Sequence, residues 1–153
     1  VESTIVETRP GGSVAVLRPG AVSRREIADA LGVGLAKVKI IKSPPSATPA
    51  APGLLSRHYS PIKPTKLWDR FPEIRSEAEA WVHFRTPRSL SSIQAPHFCL
   101  TPDGDGEAAA RRLYRLLREL DEGSFSGINL EKAPFRNPWA EVLNDRMKRA
   151  ASS

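Results

Sequence analysis

The chain has little sulfur: one cysteine, Cys99, and one methionine, Met147. A single thiol excludes an internal disulfide framework and any zinc site built from several cysteines. It suits a reducing setting, so a cytoplasmic location is expected. No apolar run approaches the ~20 residues needed to span a bilayer, and no membrane partner is expected. The three histidines, His58, His83 and His97, do not fall at metal-ligand spacing, and no metal site is expected. Neither G-x-x-x-x-G-K-[ST] nor a post-strand G-x-G-x-x-G occurs, which excludes the familiar phosphate loops. Asp103-Gly104-Asp105-Gly106 has no Glu at the twelfth position of a calcium loop and reads as a polar turn that caps a helix. Cys99 lies inside an apolar strand pattern, where a structural thiol is expected rather than a nucleophile.

The 153 residues are 26% charged and 40% hydrophobic, enough for a packed core and for one ordinary domain or two very small ones. Net charge is +6, which favours an anionic partner without naming one. Proline is abundant, 14 residues, which excludes a helical bundle or coiled coil. The chain opens on Val1-Glu2-Ser3-Thr4-Ile5-Val6, a strand-like pattern without an initiator methionine or the charge and apolar regions of a signal peptide. It is expected to be a piece of a longer polypeptide.

The pattern divides into three parts. Over 1–42, β-branched runs at Ser3–Glu7 and Ser13–Leu17 flank Arg9-Pro10-Gly11-Gly12 and predict a hairpin. Ser23-Arg24-Arg25-Glu26 is a capping box that opens a helix over 24–31, stopped by Gly32. Lys37–Lys42 alternates and reads as a strand. Residues 43–64 hold six prolines and form a semi-flexible linker, with Arg57-His58-Tyr59 as an island of cation, imidazole and phenol. Residues 65–153 alternate strands (Trp81–Phe84, His97–Leu100, Gly127–Leu130) with helices. Leu113, Leu116, Leu117 and Leu120 form the stripe of a helix over 107–122. Asn137 and Pro138 are placed to start a last helix whose core face carries Leu143 and Met147. The alternation predicts an α/β fold with a parallel, doubly wound sheet.

Three groups have the chemistry to hold a phosphate-bearing ligand. Ser3 and Thr4 supply hydroxyls, Arg18 supplies a guanidinium where a strand ends, and Arg57 to Tyr59 supply a cation and a phenol. The same residues also read as an edge hairpin, a surface arginine and a linker docked on its own domain. Arg111, Arg112, Arg115 and Arg118 on the 107–122 helix offer a basic face for RNA. Glu107 and Glu119 stand where they can pair with Arg111 and Arg115, the pattern of a solvated helix face.

Taken in order, Val1-Glu2-Ser3-Thr4-Ile5-Val6, Leu17-Arg18-Pro19-Gly20-Ala21-Val22-Ser23, Ala51-Pro52-Gly53 leading to Arg57-His58-Tyr59-Ser60-Pro61, and the tail motifs Ala110–Asp121 and Leu143–Ala151 resemble the two-domain threonylcarbamoyl-AMP synthases. The resemblance runs the length of the chain. It implies the end of a twisted α/β catalytic domain over 1–42, a linker across the active site over 43–64, and a small Rossmann-like parallel-sheet C-terminal domain over 65–153. The implied reaction is a nucleotidyl transfer. Threonine, bicarbonate and ATP give threonylcarbamoyl-adenylate for tRNA threonylcarbamoyladenosine, with ATP as substrate and magnesium accompanying it. The resemblance also implies that Ser3 contacts threonine and that Arg18 and Tyr59 contact ATP. Partners would then be those substrates and tRNA or tRNA-modification proteins. Leu54-Leu55-Ser56 replaces the family's Met-Lys-Tyr stretch, and its lysine- and arginine-bearing phosphate segment has no counterpart. This chain alone is therefore expected to be inactive. The competing reading is a non-catalytic RNA- or protein-binding module.

Overall fold

In a computed structural model, the residues described are 3–41, 60–73, 75–88 and 94–151. The chain forms two compact units, Val1–Leu55 and Ser56–Ser153.

The first unit is a three-stranded sheet in the order β1-β2-β3. Strands β1 (Ile5–Arg9) and β2 (Ser13–Arg18) pair antiparallel. Between them Pro10–Gly12 makes a single 3-10 turn, in which Gly11 and Gly12 take φ of 78° and 71°. Those angles strain any residue with a Cβ, and this is why the Pro-Gly-Gly sequence turns here. Helix α1 (Arg24–Ala30) follows, with the predicted capping box complete: Ser23 Oγ accepts from the Glu26 N–H, and Glu26 accepts from the Ser23 N–H. Strand β3 (Val38–Ile40) returns parallel to β2, shorter than the alternation of 37–42 predicts. The core is small: Val14, Val16, Ala28 and Val38, with Ile27 and Val33 against them.

The second unit is an all-parallel sheet of β4 (Thr65–Trp68), β5 (Ala80–Arg85), β6 (His97–Thr101) and β7 (Ile128–Glu131) in the order β4-β7-β5-β6. Helix α2 (Gly106–Glu122) links β6 to β7, and α3 (Ala140–Ala150) follows β7. Leu113, Leu116, Leu117 and Leu120 of α2 and Leu143 and Met147 of α3 are all buried against Val82, Phe84, Leu100, Ile128 and Leu130. Each such side chain contributes ~1.5–3 kcal/mol on leaving water. The Asp-Gly-Asp-Gly turn caps α2 as expected. Asp105 accepts from the N–H groups of Glu107 and Ala108, and Asp103 accepts from Thr101 Oγ1.

Two expectations change and one strand is added. Strand β4 carries little sequence signal, because Lys66 and neighbouring prolines mask a four-residue strand. Helix α3 starts at Ala140 rather than at Pro138. Asn137 instead accepts from the Trp139 N–H and donates to Gly104 O, which ties the turn before α3 to the turn before α2. The sheet is also not doubly wound among the described residues, since α2 and α3 pack on one and the same face. The other face carries Trp68, Trp81, His83, Asn129 and Glu131, closed in part by Phe71 and Ala95.

Candidate functional site

The sequence-predicted residues in the first unit converge at one end of its sheet. Register places Arg18, the last residue of β2, opposite Ile5. From there the Arg18 guanidinium reaches back past the start of β1 and donates from Nε and Nη2 to the Ser3 carbonyl, at 3.2 and 2.9 Å. Beside it, Thr4 Oγ1 accepts from the Val22 N–H at 3.1 Å and donates to Val22 O at 2.8 Å. The Leu17-Arg18-Pro19-Gly20 segment thus bends at the buried Pro19 and Gly20 and is fastened to the strand start from both sides. Ser3 itself is exposed and Arg18 half-buried. The result is a hydroxyl, a guanidinium and the cap of α1 gathered at one sheet end, an arrangement that can present donors to an anion. Tyr59, with Arg57 and His58, lies outside the described residues.

In the second unit the linker's exit is fixed to α2. Asp121 accepts from the backbone N–H groups of Ile62 and Lys63 at 3.0 and 2.9 Å. Lys63 Nζ donates to the carbonyls of Leu120, Asp121 and Gly123, so a cation closes the C-terminal end of the helix where the dipole favours it. Ser60, Pro61, Tyr114, Leu117, Arg118 and Asp121 border a pocket of 180 Å³. Of the arginines on α2, Arg111 pairs with Glu107 and Arg115 with Glu119, each at i,i+4 spacing and exposed. This is the solvated helix face that the spacing predicts.

Sequence reasoning passed over the polar groups on the open face of the parallel sheet. His83 Nδ1 stands 3.6 Å from Glu131 Oε2, and that oxygen accepts the Phe84 N–H at 3.0 Å. The Trp68 indole donates to Asn129 Oδ1 at 2.8 Å, and Asn129 Nδ2 donates to Glu79 at 3.0 Å. Alternation of Trp81 with His83 and of Asn129 with Glu131 was the available signal: every second residue of two core strands is polar or amphipathic. Cys99 is half-buried, paired in register with His83. His97, also half-buried, has its Nδ1 3.2 Å from Ala95 O. Among the described residues no three His, Cys, Asp or Glu side chains converge on a metal-sized site. No helix of the described residues is long and apolar enough to cross a membrane.

Three carboxylates of the second unit, Asp103, Asp121 and Glu131, titrate below their usual range, Asp103 because it accepts from the Thr101 hydroxyl and the Asp105 N–H. Burial acts to raise the Glu131 carboxyl, but contact with His83, the Phe84 N–H, and the charges of His83 and Arg75 together outweigh it and hold it below the ordinary 4.5. For Asp121 burial likewise acts upward and is outweighed by the N–H groups of Ile62 and Lys63 and the Lys63 charge, leaving it below 3.8. A carboxylate depressed in the folded state adds stability above its unfolded pKa and loses it as pH falls through the folded one. The melting temperature should therefore hold with respect to these groups above pH 4.5 and fall below it, and the fall should be shallower in Glu131→Gln. An acid limb of equal steepness in that variant would show that Glu131 does not contribute.

Comparison with known proteins agrees with this architecture. The family described as threonylcarbamoyl-AMP synthase, C-terminal domain, matches residues 22–152. The crystal structure of P. abyssi Sua5 complexed with L-threonine superposes with a TM-score of 0.69 at 22% identity. It covers 99% of this chain, which spans only 46% of the length of that protein. No curated protein matches the chain.

Proposed function

The chain belongs to the family of threonylcarbamoyl-AMP synthase C-terminal domains, and from that premise we propose that it is the C-terminal portion of such a synthase, working in tRNA modification. The complete protein would condense threonine, bicarbonate and ATP into threonylcarbamoyl-adenylate and release pyrophosphate. The family match over most of the chain carries this reading. Two further points support it. The Ser3 and Arg18 segments meet at one sheet end, and the P. abyssi Sua5 described above was solved complexed with L-threonine.

On this reading Ser3 contacts threonine, while Arg18 and Tyr59 contact ATP. Attack of a carboxylate on a phosphate is helped by charge stabilisation and positioning rather than by a protein nucleophile. Arg18 supplies a permanent positive charge suited to phosphate oxygens. By gripping the Ser3 carbonyl it also fixes the place from which the Ser3 hydroxyl is offered, so the two substrate contacts are mechanically joined. Magnesium would arrive with ATP, held by its phosphates. A linker laid over the site would keep water from a labile mixed anhydride. This chain by itself would not turn over.

The test is a pyrophosphate-release assay on the complete protein and on this chain, with the adenylate identified by mass spectrometry. Release by the complete protein that requires threonine, bicarbonate and ATP together is the expected result, with none from the chain alone. Release without threonine, or no adenylate, would overturn the proposal.

A further inference from the structure

Nearly every polar group on the open face of the second unit's sheet has a partner. The Trp68 indole has Asn129, Asn129 has Glu79, the Trp81 indole donates to Ser76 O at 3.0 Å, and Arg75 Nε donates to Pro72 O. Two nitrogens do not. Arg75 Nη1 and His83 Nε2 are buried and have no hydrogen-bond partner among the described residues. Native proteins rarely leave such atoms without a partner, and each one calls for an occupant.

The two atoms belong to one cluster. Both side chains pack on the Phe71 ring: the Arg75 guanidinium carbon lies 5.2 Å from its centre and the His83 ring 5.0 Å from it. The guanidinium also lies 5.7 Å from the Trp81 ring, which is 6.2 Å from Trp68. His83 is only 5% exposed. Glu131 sits on its Nδ1 side, which leaves Nε2 as the nitrogen offered to a ligand. A guanidinium N–H only donates, so its missing partner is an acceptor. An imidazole held by a carboxylate on one nitrogen can donate from the other once it is charged. One guanidinium and one chargeable imidazole stand beside the Glu131 carboxylate, while the other carboxylate of this face, Glu79, is held by Asn129; the two nitrogens left over suit a small anion.

We propose that the polar-aromatic face of β5 and β7 forms a binding site for a compact oxyanion, a carboxylate or phosphate group held by Arg75 Nη1 and His83 Nε2 with Trp68, Phe71 and Trp81 as its walls. This does not depend on the synthase reading.

The chain has three tryptophans, so its indole N–H region in an ¹H–¹⁵N spectrum carries three signals. Two belong to the proposed site, and the third, Trp139, packs against the helix-covered core. Acetate and inorganic phosphate, each titrated against chloride at constant ionic strength, should move the Trp68 and Trp81 signals saturably and leave Trp139 in place. The tighter of the two anions identifies the source of the oxyanion. Arg75→Met and His83→Gln should each weaken the response at least ~10-fold, about 1.4 kcal/mol. Should Arg75→Met fail to fold, Arg75→Lys keeps the charge without the fork and should still weaken it. No saturable movement with either anion would overturn the site and assign the two nitrogens to ordinary buried water. So would a response equalled by chloride, or undiminished in the folded variants.

Discussion

In the complete synthase, Arg18→Ala should lower kcat/KM for ATP by ~100-fold, about 2.7 kcal/mol of transition-state stabilisation. The same substitution should also raise KM for threonine. That second effect follows from the geometry: Arg18 is one of the ties between the end of β2 and the start of β1, through two bonds to the Ser3 carbonyl. Removing the guanidinium takes away the cation proposed to face ATP and releases the residue proposed to hold threonine. The converse change is not symmetric. Ser3→Ala keeps the carbonyl that Arg18 grips and loses only the hydroxyl, so it should raise KM for threonine ~10-fold, about one charge-free hydrogen bond, with KM for ATP unchanged. Arg18→Lys should rescue poorly, because an ammonium cannot reproduce two donors in one plane. Steady-state kinetics with each substrate varied in turn would measure this. Unchanged ATP dependence in Arg18→Ala removes Arg18 from the site. A change confined to threonine reduces it to a positioning residue for Ser3.

What the sequence shows and what it hides follow a physical line. The capping box of α1, the Leu113–Leu120 stripe and the Asp103–Gly106 turn are local codes, in which each residue's partner lies within a few positions, and all three read directly. Strand β4 and the start of α3 do not. The first is fixed by register against β7. The second depends on Asn137 bonding Gly104, 33 residues away. In the candidate site, Ser3 and Arg18 were separately legible as hydroxyl and cation. Their junction through the Ser3 carbonyl was not, since a backbone oxygen leaves no mark in a residue pattern. His83 and Glu131 were hidden for another reason. They lie 48 positions apart, and only the insertion of β7 beside β5 brings them together.

Leu130→Ala should destabilise the second unit by ~3 kcal/mol, within the 2–5 kcal/mol that large-to-small core changes cost, and lower its melting temperature by ~12 °C or more. Leu130 is 0% exposed. It sits in β7, which has a strand on both sides, and it belongs to the core cluster that α2 and α3 cover. Two flanking strands and two helices make collapse around the deletion difficult, so the cavity persists and the transfer cost is paid in full. Ile40→Ala, at an exposed position in the first unit (41% exposed), is the matched control and should cost well under 1 kcal/mol. Thermal unfolding followed by circular dichroism distinguishes the cases. A loss near 3 kcal/mol fits a sheet whose single helix-covered face holds its stability. A loss below 1 kcal/mol would mean that the polar-aromatic face, through Trp68, Trp81 and Asn129, carries more of the stability than the helices do. The order β4-β7-β5-β6 would then owe its persistence to the hydrogen-bonded side rather than to the leucine side.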